Sequence, residues 1–414
     1  MKSVGRQDIT THFETHHLRI KRARARLAML PKLLDGGSAP DAPAWDWRED
    51  GFYATVRARA AAFLLQKDML QDDDVAKVDK EVWLRATGST RAMRVTRLLA
   101  VTLYVTAFLA TCVTQRPEAA MICGVLTAVM GGFGHSAFHR RGRSWDCWLF
   151  ECAGLSHEEW RGGPHTEHHM YPNLPQDPDT NSMDPFVLWG PPTSEFSMLR
   201  RILSPVSFHV VAALAVLAMQ VQHLHPRANF FGRSQSNSGL AVPLIMLLLL
   251  WLSGLLLALR PDPYDLSSGL GNDWASGAMG MLRATGLWFL IWCFGSFWFM
   301  MVSSVNHNQE ENWTAKLDSE QDWGAWQLQI SSDIEVPCGL RGVPLFGMMY
   351  VFLHEQTLHH LFPALDHSRL NSLRPLVKNT AEEFGLQLRA PESYFRLYVG
   401  MLATIAGVSR SKKA

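Results

Sequence analysis

LIMLLLLWLSGLLLAL, residues 244–259, is apolar around its whole circumference when wound as a helix. A helix lying on a soluble core keeps one polar face, so this stretch reads as membrane-embedded. The uncharged run extends over 239–259, and 98–115, 119–138 and 284–305 likewise contain no Asp, Glu, Lys or Arg. About 20 apolar residues cross a bilayer and about 17 suffice. Four spanning helices are therefore expected. Residues 145–156 are too short to span and carry Asp146 and Glu151, while 202–220 carries Pro205 and His209. A crossing at 202–220 would also put the histidine clusters described next on opposite faces. That stretch is expected in the interface or half-inserted.

Around these runs stand three histidine clusters: His135 and His139 in GHSAFH, His165, His168 and His169 in HTEHH, and His359 and His360 in QTLHH. Residues three or four apart share one helix face, so His135 can converge with His139, and His165 with His168 and His169. A lone HxxxH arises by chance and more often serves the surface or a helix cap. Three clusters in one chain of 414 residues with 17 histidines are another matter. Neutral imidazoles suit first-row transition metals, whereas magnesium and calcium prefer oxygen ligands. The clusters are enough for two metal ions.

A net charge of +1 and 47% hydrophobic residues point to neither nucleic acid nor a strongly acidic partner, and the mean hydropathy of −0.03 hides how unevenly the apolar residues are spread. Lys21, Arg22, Arg24, Arg26, Arg91, Arg94 and Arg97 precede the first run, Arg140, Arg141 and Arg143 follow the second, and the short loop between holds only Arg116 and Glu118. The positive-inside rule then puts the amino terminus and all three clusters in the cytoplasm. The first thirty residues lack an apolar core like that of a signal peptide, so the first span is expected to be its own insertion signal. Six cysteines show no CxxC and indicate no disulfide framework. Residues 36–50, rich in Gly, Pro, Ala and Asp, read as a linker. Asp366 can cap a helix whose Leu370, Leu373, Val377, Ala381 and Phe384 form an apolar stripe ended by Gly385, taken as the lid of a cytosolic cap. Trp145, Trp148, Trp160, Trp298 and Trp313 fall where aromatic belts lie. Asn312-Trp313-Thr314 is a formal glycosylation acceptor placed on the cytosolic side by this topology.

These motifs resemble the membrane fatty-acid desaturases, whose boxes run HxxxH, HxxHH and a third HxxHH; the front-end subgroup has Gln first in the third. Here Gln356 holds that place, the second box sits in WRGGPHTEHHMYPNLPQDPDTN, and Asp322-Trp323 with Gln327 is similar to the segment before the third box. The resemblance covers about 50–390. Ser136 departs from the Asp common after the first box His, and Thr357 and Leu358 from the Ile-Glu of QIEHH; Leu358 forfeits a carboxylate near the metals.

The resemblance implies an all-α integral membrane protein with four transmembrane helices and a cytosolic cap carrying a histidine-bound di-iron site. Its implied ligands are His135, His139, His165, His168, His169, His359 and His360, with His307 from the end of the fourth span and Gln356 as a weak ligand or a hydrogen-bond partner of metal-bound water. His157 and His354 are left around the metals rather than on them. Two iron ions, dioxygen, a membrane lipid or acyl-CoA substrate, and cytochrome b5 with its NADH-dependent reductase are implied, in the endoplasmic reticulum membrane. Front-end members usually begin with a fused cytochrome b5 domain. Residues 1–34 resemble the second half of one, with His16 or His17 at the second haem ligand, but no HPGG supplies the first, so no bound haem is expected. A basic amphipathic helix on the membrane is the alternative reading of that segment. The expected division is 1–34, a linker at 35–50, the desaturase domain at 51–390 and a tail at 391–414.

Overall fold

The computed structural model of the chain describes residues 10–29, 45–66, 78–140, 145–162, 164–181, 183, 186–187, 189–191, 197–224, 238–259, 273–318, 321–337, 340 and 343–409. They form helices α1 (Thr10–Thr15), α2 (Ile20–Ala28), α3 (Phe52–Leu64), α4 (Lys80–Thr87), α5 (Arg91–Thr114), α6 (Pro117–Phe138), α7 (His157–Gly162), α8 (Pro164–Met170) and α9 (Met198–Leu224). Then follow α10 (Ser238–Ala258), α11 (Asp273–His307), α12 (Glu310–Trp313), α13 (Trp323–Ile330), α14 (Pro344–Met349), α15 (Gln356–Leu361), α16 (His367–Glu383) and α17 (Tyr394–Ile405). Extended pairing among the described residues is limited to isolated bridges at Asp46–Asp322 and Ile334–Glu392, so the all-helical expectation holds.

Among the described residues five helices are long and apolar enough to cross a membrane, one more than the four spans expected: α5, α6, Arg201–Gln220 within α9, Gly239–Ala258 within α10, and Ala275–His307 within α11. The addition is the stretch expected to lie in the interface, which runs as one helix through Pro205. Its register explains how parity survives. The 35 residues of α11 extend about 52 Å at 1.5 Å per residue, against a hydrocarbon core of about 30 Å. Its C-terminal half packs on α9, where Ser296 Oγ donates to Ala212 O (2.6 Å) and accepts from Val216 N (3.1 Å). Its N-terminal half packs on α10, where Trp288 Nε1 donates to Pro243 O (2.8 Å) and a Cβ on Gly254 would sit 2.6 Å from Gly280 O. Small residues let these backbones close up without help from water exclusion. The C-terminal end of α9 meets the chain turn at Gly154, and the N-terminal end of α10 meets Leu155 and Ser156 beside it. Thus α9 and α10 stand end to end along α11, and the clusters before and after this unit meet at one end.

The outward faces of α5 and α10 remain apolar, as a lipid solvent requires: Leu98, Leu99 and Val113, and Leu248, Leu252 and Leu256, are exposed. At the end where the histidine clusters meet lies a second core built from early and late parts of the chain. Leu370, Leu373, Val377 and Ala381 of α16 are buried in one cluster with Phe52, Tyr53 and Val56 of α3. Asp366 accepts from Ser368 N as the cap of α16, and Gly385 ends it at φ 67°. Phe384 departs from the expected stripe: it is 39% exposed, its ring edge against Phe52. Trp145 and Trp148 are exposed as belt residues should be, but Trp160 and Trp313 line a cavity.

The amino-terminal segment packs into this cap. Leu18 and Ile20 are buried, Glu14 accepts two 3.0 Å bonds from Arg24, and Tyr53 Oη lies 3.3 Å from the carbonyls of both Thr15 and Leu361. Of the stretch read as a linker, the described end is packed too: Trp45 is buried and Trp47 stacks on Trp323. In the tail, α17 lies against α11 and α9, with Tyr398 Oη 2.5 Å from His209 Nε2.

Candidate metal centre

His135 lies in the last turn of α6 and His139 caps it. The glycines just before them let other segments reach this end. A Cβ on Gly132 would sit 2.8 Å from the carbonyl carbon of Val351, and one on Gly134 would sit 2.6 Å from Phe150 Cα. Val351 and Phe352 turn through positive φ (43° and 64°), a conformation costing about 1–3 kcal/mol per residue unless the surroundings enforce it. Here they do, with Phe352 packed on Phe133 at 4.5 Å between ring centroids. That turn delivers α15, and with it the third cluster, to the end of α6.

Two groups of imidazoles result. His135, His139, His169 and His359 have ring nitrogens within 4.8 Å of one another, as do His168, His307 and His360. All seven are buried. Neighbouring residues on a helix point about 100° apart, since 3.6 residues complete a turn, so each His-His pair divides between the groups. His169 and His360 stack at 4.2 Å across the boundary. Gln356 Nε2 is 3.0 Å from His307 Nε2, on the edge of the second group. His165 belongs to α8, but its side chain lies outside the described residues.

The donor set fits a metal. The Nε2 atoms of His139 and His359 lie 3.3 and 3.2 Å from that of His135. Nitrogens each about 2.0–2.1 Å from one ion stand about 3.0–3.4 Å apart in tetrahedral or octahedral geometry. The spacing is that of a coordination edge, and no carboxylate belongs to either imidazole group. The buried Oε1 of Gln356 has no hydrogen-bond partner, and its amide could turn that oxygen inward.

Outer partners fix which nitrogen faces inward. His168 Nδ1 lies 3.1 Å from both oxygens of Asp177, whose carboxylate also accepts from the backbone N–H groups of Asn173 and Asp179. Burial would lower the His168 pKa, but the charges of Asp177 and Asp179 outweigh it and lift the value to about 9. With Nδ1–H donated to Asp177, a metal ion at Nε2 would take the place of the proton that these charges favour. His360 Nδ1 likewise meets Gln327 Oε1 at 3.0 Å, and Gln327 Nε2 donates to His169 O. His359 Nδ1 is 3.1 Å from Nε2 of His367, a residue the sequence reading passed over. The signal was weak: a single histidine just after a helix cap. Its neighbour Asp366 pairs with Arg140, which directly follows His139, so one ion pair at 3.3 Å ties the first cluster to the third.

His157 bonds Glu151 at 2.7 Å and, like His354, belongs to neither imidazole group. Leu358 is fully buried in the cap core, where an unpaired carboxylate would be costly. The half-buried ring of His16 packs 5.8 Å from that of His139, and His12 lies 4.0 Å beyond it. Burial pushes the His12 pKa down to about 4. Beside the imidazoles a cavity opens along the C-terminal half of α11. Phe150, Trp160, Met183, Met219, Phe299 and Met300 form the apolar part of its wall, Asn173, Asp177, Asp179, Ser303 and Asn308 a polar part, and His135, His168, His307 and Gln356 close one side.

Asn312 is 1% exposed, donating from Nδ2 to Asn306 O and accepting from Arg389. Expression with microsomes should therefore leave the chain without a glycan, seen as no mobility change on endoglycosidase treatment. A glycan on Asn312 would mean that α11 runs the other way across the membrane.

Comparison with known proteins agrees with the geometry. The sequence profile described as fatty acid desaturase matches residues 117–391, which hold all three clusters. The cytochrome b5-related protein of Drosophila melanogaster is 26% identical over 389 residues, covering 92% of this chain and 77% of the relative. No solved structure matches significantly. With a profile match over more than half its length, and buried imidazoles gathered at the ends of apolar helices, this chain belongs to the fatty acid desaturase family.

Proposed function

We propose that this membrane oxidoreductase is a front-end fatty-acyl desaturase of the endoplasmic reticulum, its amino terminus and metal centre facing the cytosol. The observation that carries the reading is the pair of buried imidazole groups flanking one cavity with a stretch of apolar wall. Gln356 at the head of the third box supports the front-end assignment, and the basic residues around the first two spans support the orientation.

His135, His139, His169 and His359 would hold one iron ion, and His168, His307 and His360 the other, with His165 and Gln356 completing the set. Bound iron would supply the oxidising power for the reaction, in which O2, two electrons and two protons take two hydrogens from adjacent methylenes, giving a double bond and two waters. Such methylenes have neither an acidic proton nor a leaving group, so side-chain acid-base chemistry alone cannot perform it. The chain contributes position and dryness. Phe150, Trp160, Met219 and Phe299 exclude water and hold the acyl chain so that one carbon pair faces the metals. Asp177 and Gln327 keep His168 and His360 in the tautomer that presents Nε2. Electrons come one at a time from cytochrome b5 and its NADH-dependent reductase.

The test is lipid analysis after expression in a host that supplies its own cytochrome b5. A new double bond between an existing one and the carboxyl end is expected. New sphingoid double bonds or hydroxylated lipids would reassign the reaction on the same scaffold. An unchanged profile with full iron content would leave a non-catalytic membrane protein.

A further inference from the structure

The amino-terminal segment is the part of the cap that the proposed chemistry leaves unused. It is anchored over the first imidazole group by Glu14, Arg24 and Arg57, and by Tyr53 bridging Thr15 to the end of α15. Two features of it belong together. The first is a row of rings, His12, His16 and His139, with successive centroids 4.0 and 5.8 Å apart, running from two half-buried histidines to a buried member of the metal centre. The second is α2, which follows His16 by four residues. Ile20 and Ala23 turn its inner face into the cap, and Arg24 is occupied by Glu14. Arg22 and Arg26, four apart and so on one face, are exposed.

We propose that electrons reach the metal centre through His12 and His16, and that the outward basic face of α2 docks an acidic haem protein above them. This rests on the desaturase reading, which places redox metals at His139 and names a one-electron haem carrier. In each transfer the carrier's ferrous haem is oxidised by one electron and the metal pair is reduced by one. No bond of either imidazole is made or broken. Exposed charge next to the route is where complementarity acts on encounter rate and orientation. The same helix ends in exposed Leu27 and Met29, which an anionic bilayer could take up instead. The ring row favours the carrier, since a lipid surface has no use for a chain of imidazoles leading to a metal ligand.

The test uses the full-length, iron-loaded protein in nanodiscs and the soluble haem domain of cytochrome b5 as probe. Arg22→Glu with Arg26→Glu should weaken binding of the haem domain by about tenfold at low salt and flatten its salt dependence, with iron content unchanged. His16→Ala should bind the haem domain and retain iron like the parent, yet reoxidise the prereduced domain at least about tenfold more slowly, a rise of about 1.4 kcal/mol in activation free energy. Normal docking by the charge-reversed protein would overturn the surface assignment, and loss of binding to phosphatidylserine vesicles would then identify α2 as a lipid contact. A parent-like transfer rate in His16→Ala, or loss of its iron, would overturn the route. If the parent itself fails to reoxidise the carrier, the desaturase reading fails, while the binding measurements still decide whether α2 docks a haem protein.

Discussion

Replacing His359 by Ala is expected to abolish desaturation and to remove about half of the bound metal. Its ring is completely buried, with Nε2 3.2 Å from His135 Nε2 and Nδ1 3.1 Å from His367 Nε2, so its removal opens a coordination position inside the first group. Loss of an outer partner alone costs about 10- to 100-fold in metal affinity or activity, and loss of the ligand itself should exceed about 100-fold. His168→Ala should do the same at the second group, and there it also leaves the buried Asp177 carboxylate without its imidazole. Metal analysis of the purified variants and lipid profiling of the host provide the measurement. A variant that keeps full activity and both metals would disprove the assignment.

His307→Ala should be as inactive as these, although His307 belongs to no histidine box. It ends α11 with its ring 4.7 Å from both His168 and His360, and Asn173 Nδ2 holds its carbonyl at 2.9 Å. Gln356→His, by contrast, should keep measurable activity, because an imidazole can occupy the position of the amide beside His307. Lys378→Ala, on the exposed side of α16, controls for general fragility. Comparable losses in His307→Ala and Lys378→Ala would reduce the first to a folding effect, and a fully active His307→Ala would exclude His307 from the centre.

The boxes were legible because their chemistry is local. His135 with His139 shares a helix face by spacing alone, and the uncharged runs announce themselves without reference to any partner. The cap on α16, with Asp366 before it and Gly385 after it, was legible for the same reason. Phe384 was misplaced because a stripe fixes direction only to within a fraction of a turn, and the residue just past the end of a helix drifts out of it. That 202–220 is an apolar stretch was legible in the same way, but its place along α11 was not, since composition and parity say nothing of the half of α11 that α9 covers.

By itself the sequence determined which residues can bind metal, which segments prefer lipid, and which family the pattern resembles, since each depends on residue type and short-range period. Only the tertiary structure decided how the seven described imidazoles divide four and three. It also decided that Asp177, Gln327 and His367 orient them and that α9 and α10 share the length of α11. The placing of His16 against His139 belongs here too. These facts join residues as far apart as His135 and His359. Helical period fixes which way a side chain points from its own axis, whereas the meeting of two axes is set by what separates them: a glycine at 132 or 280, or a strained turn at Val351.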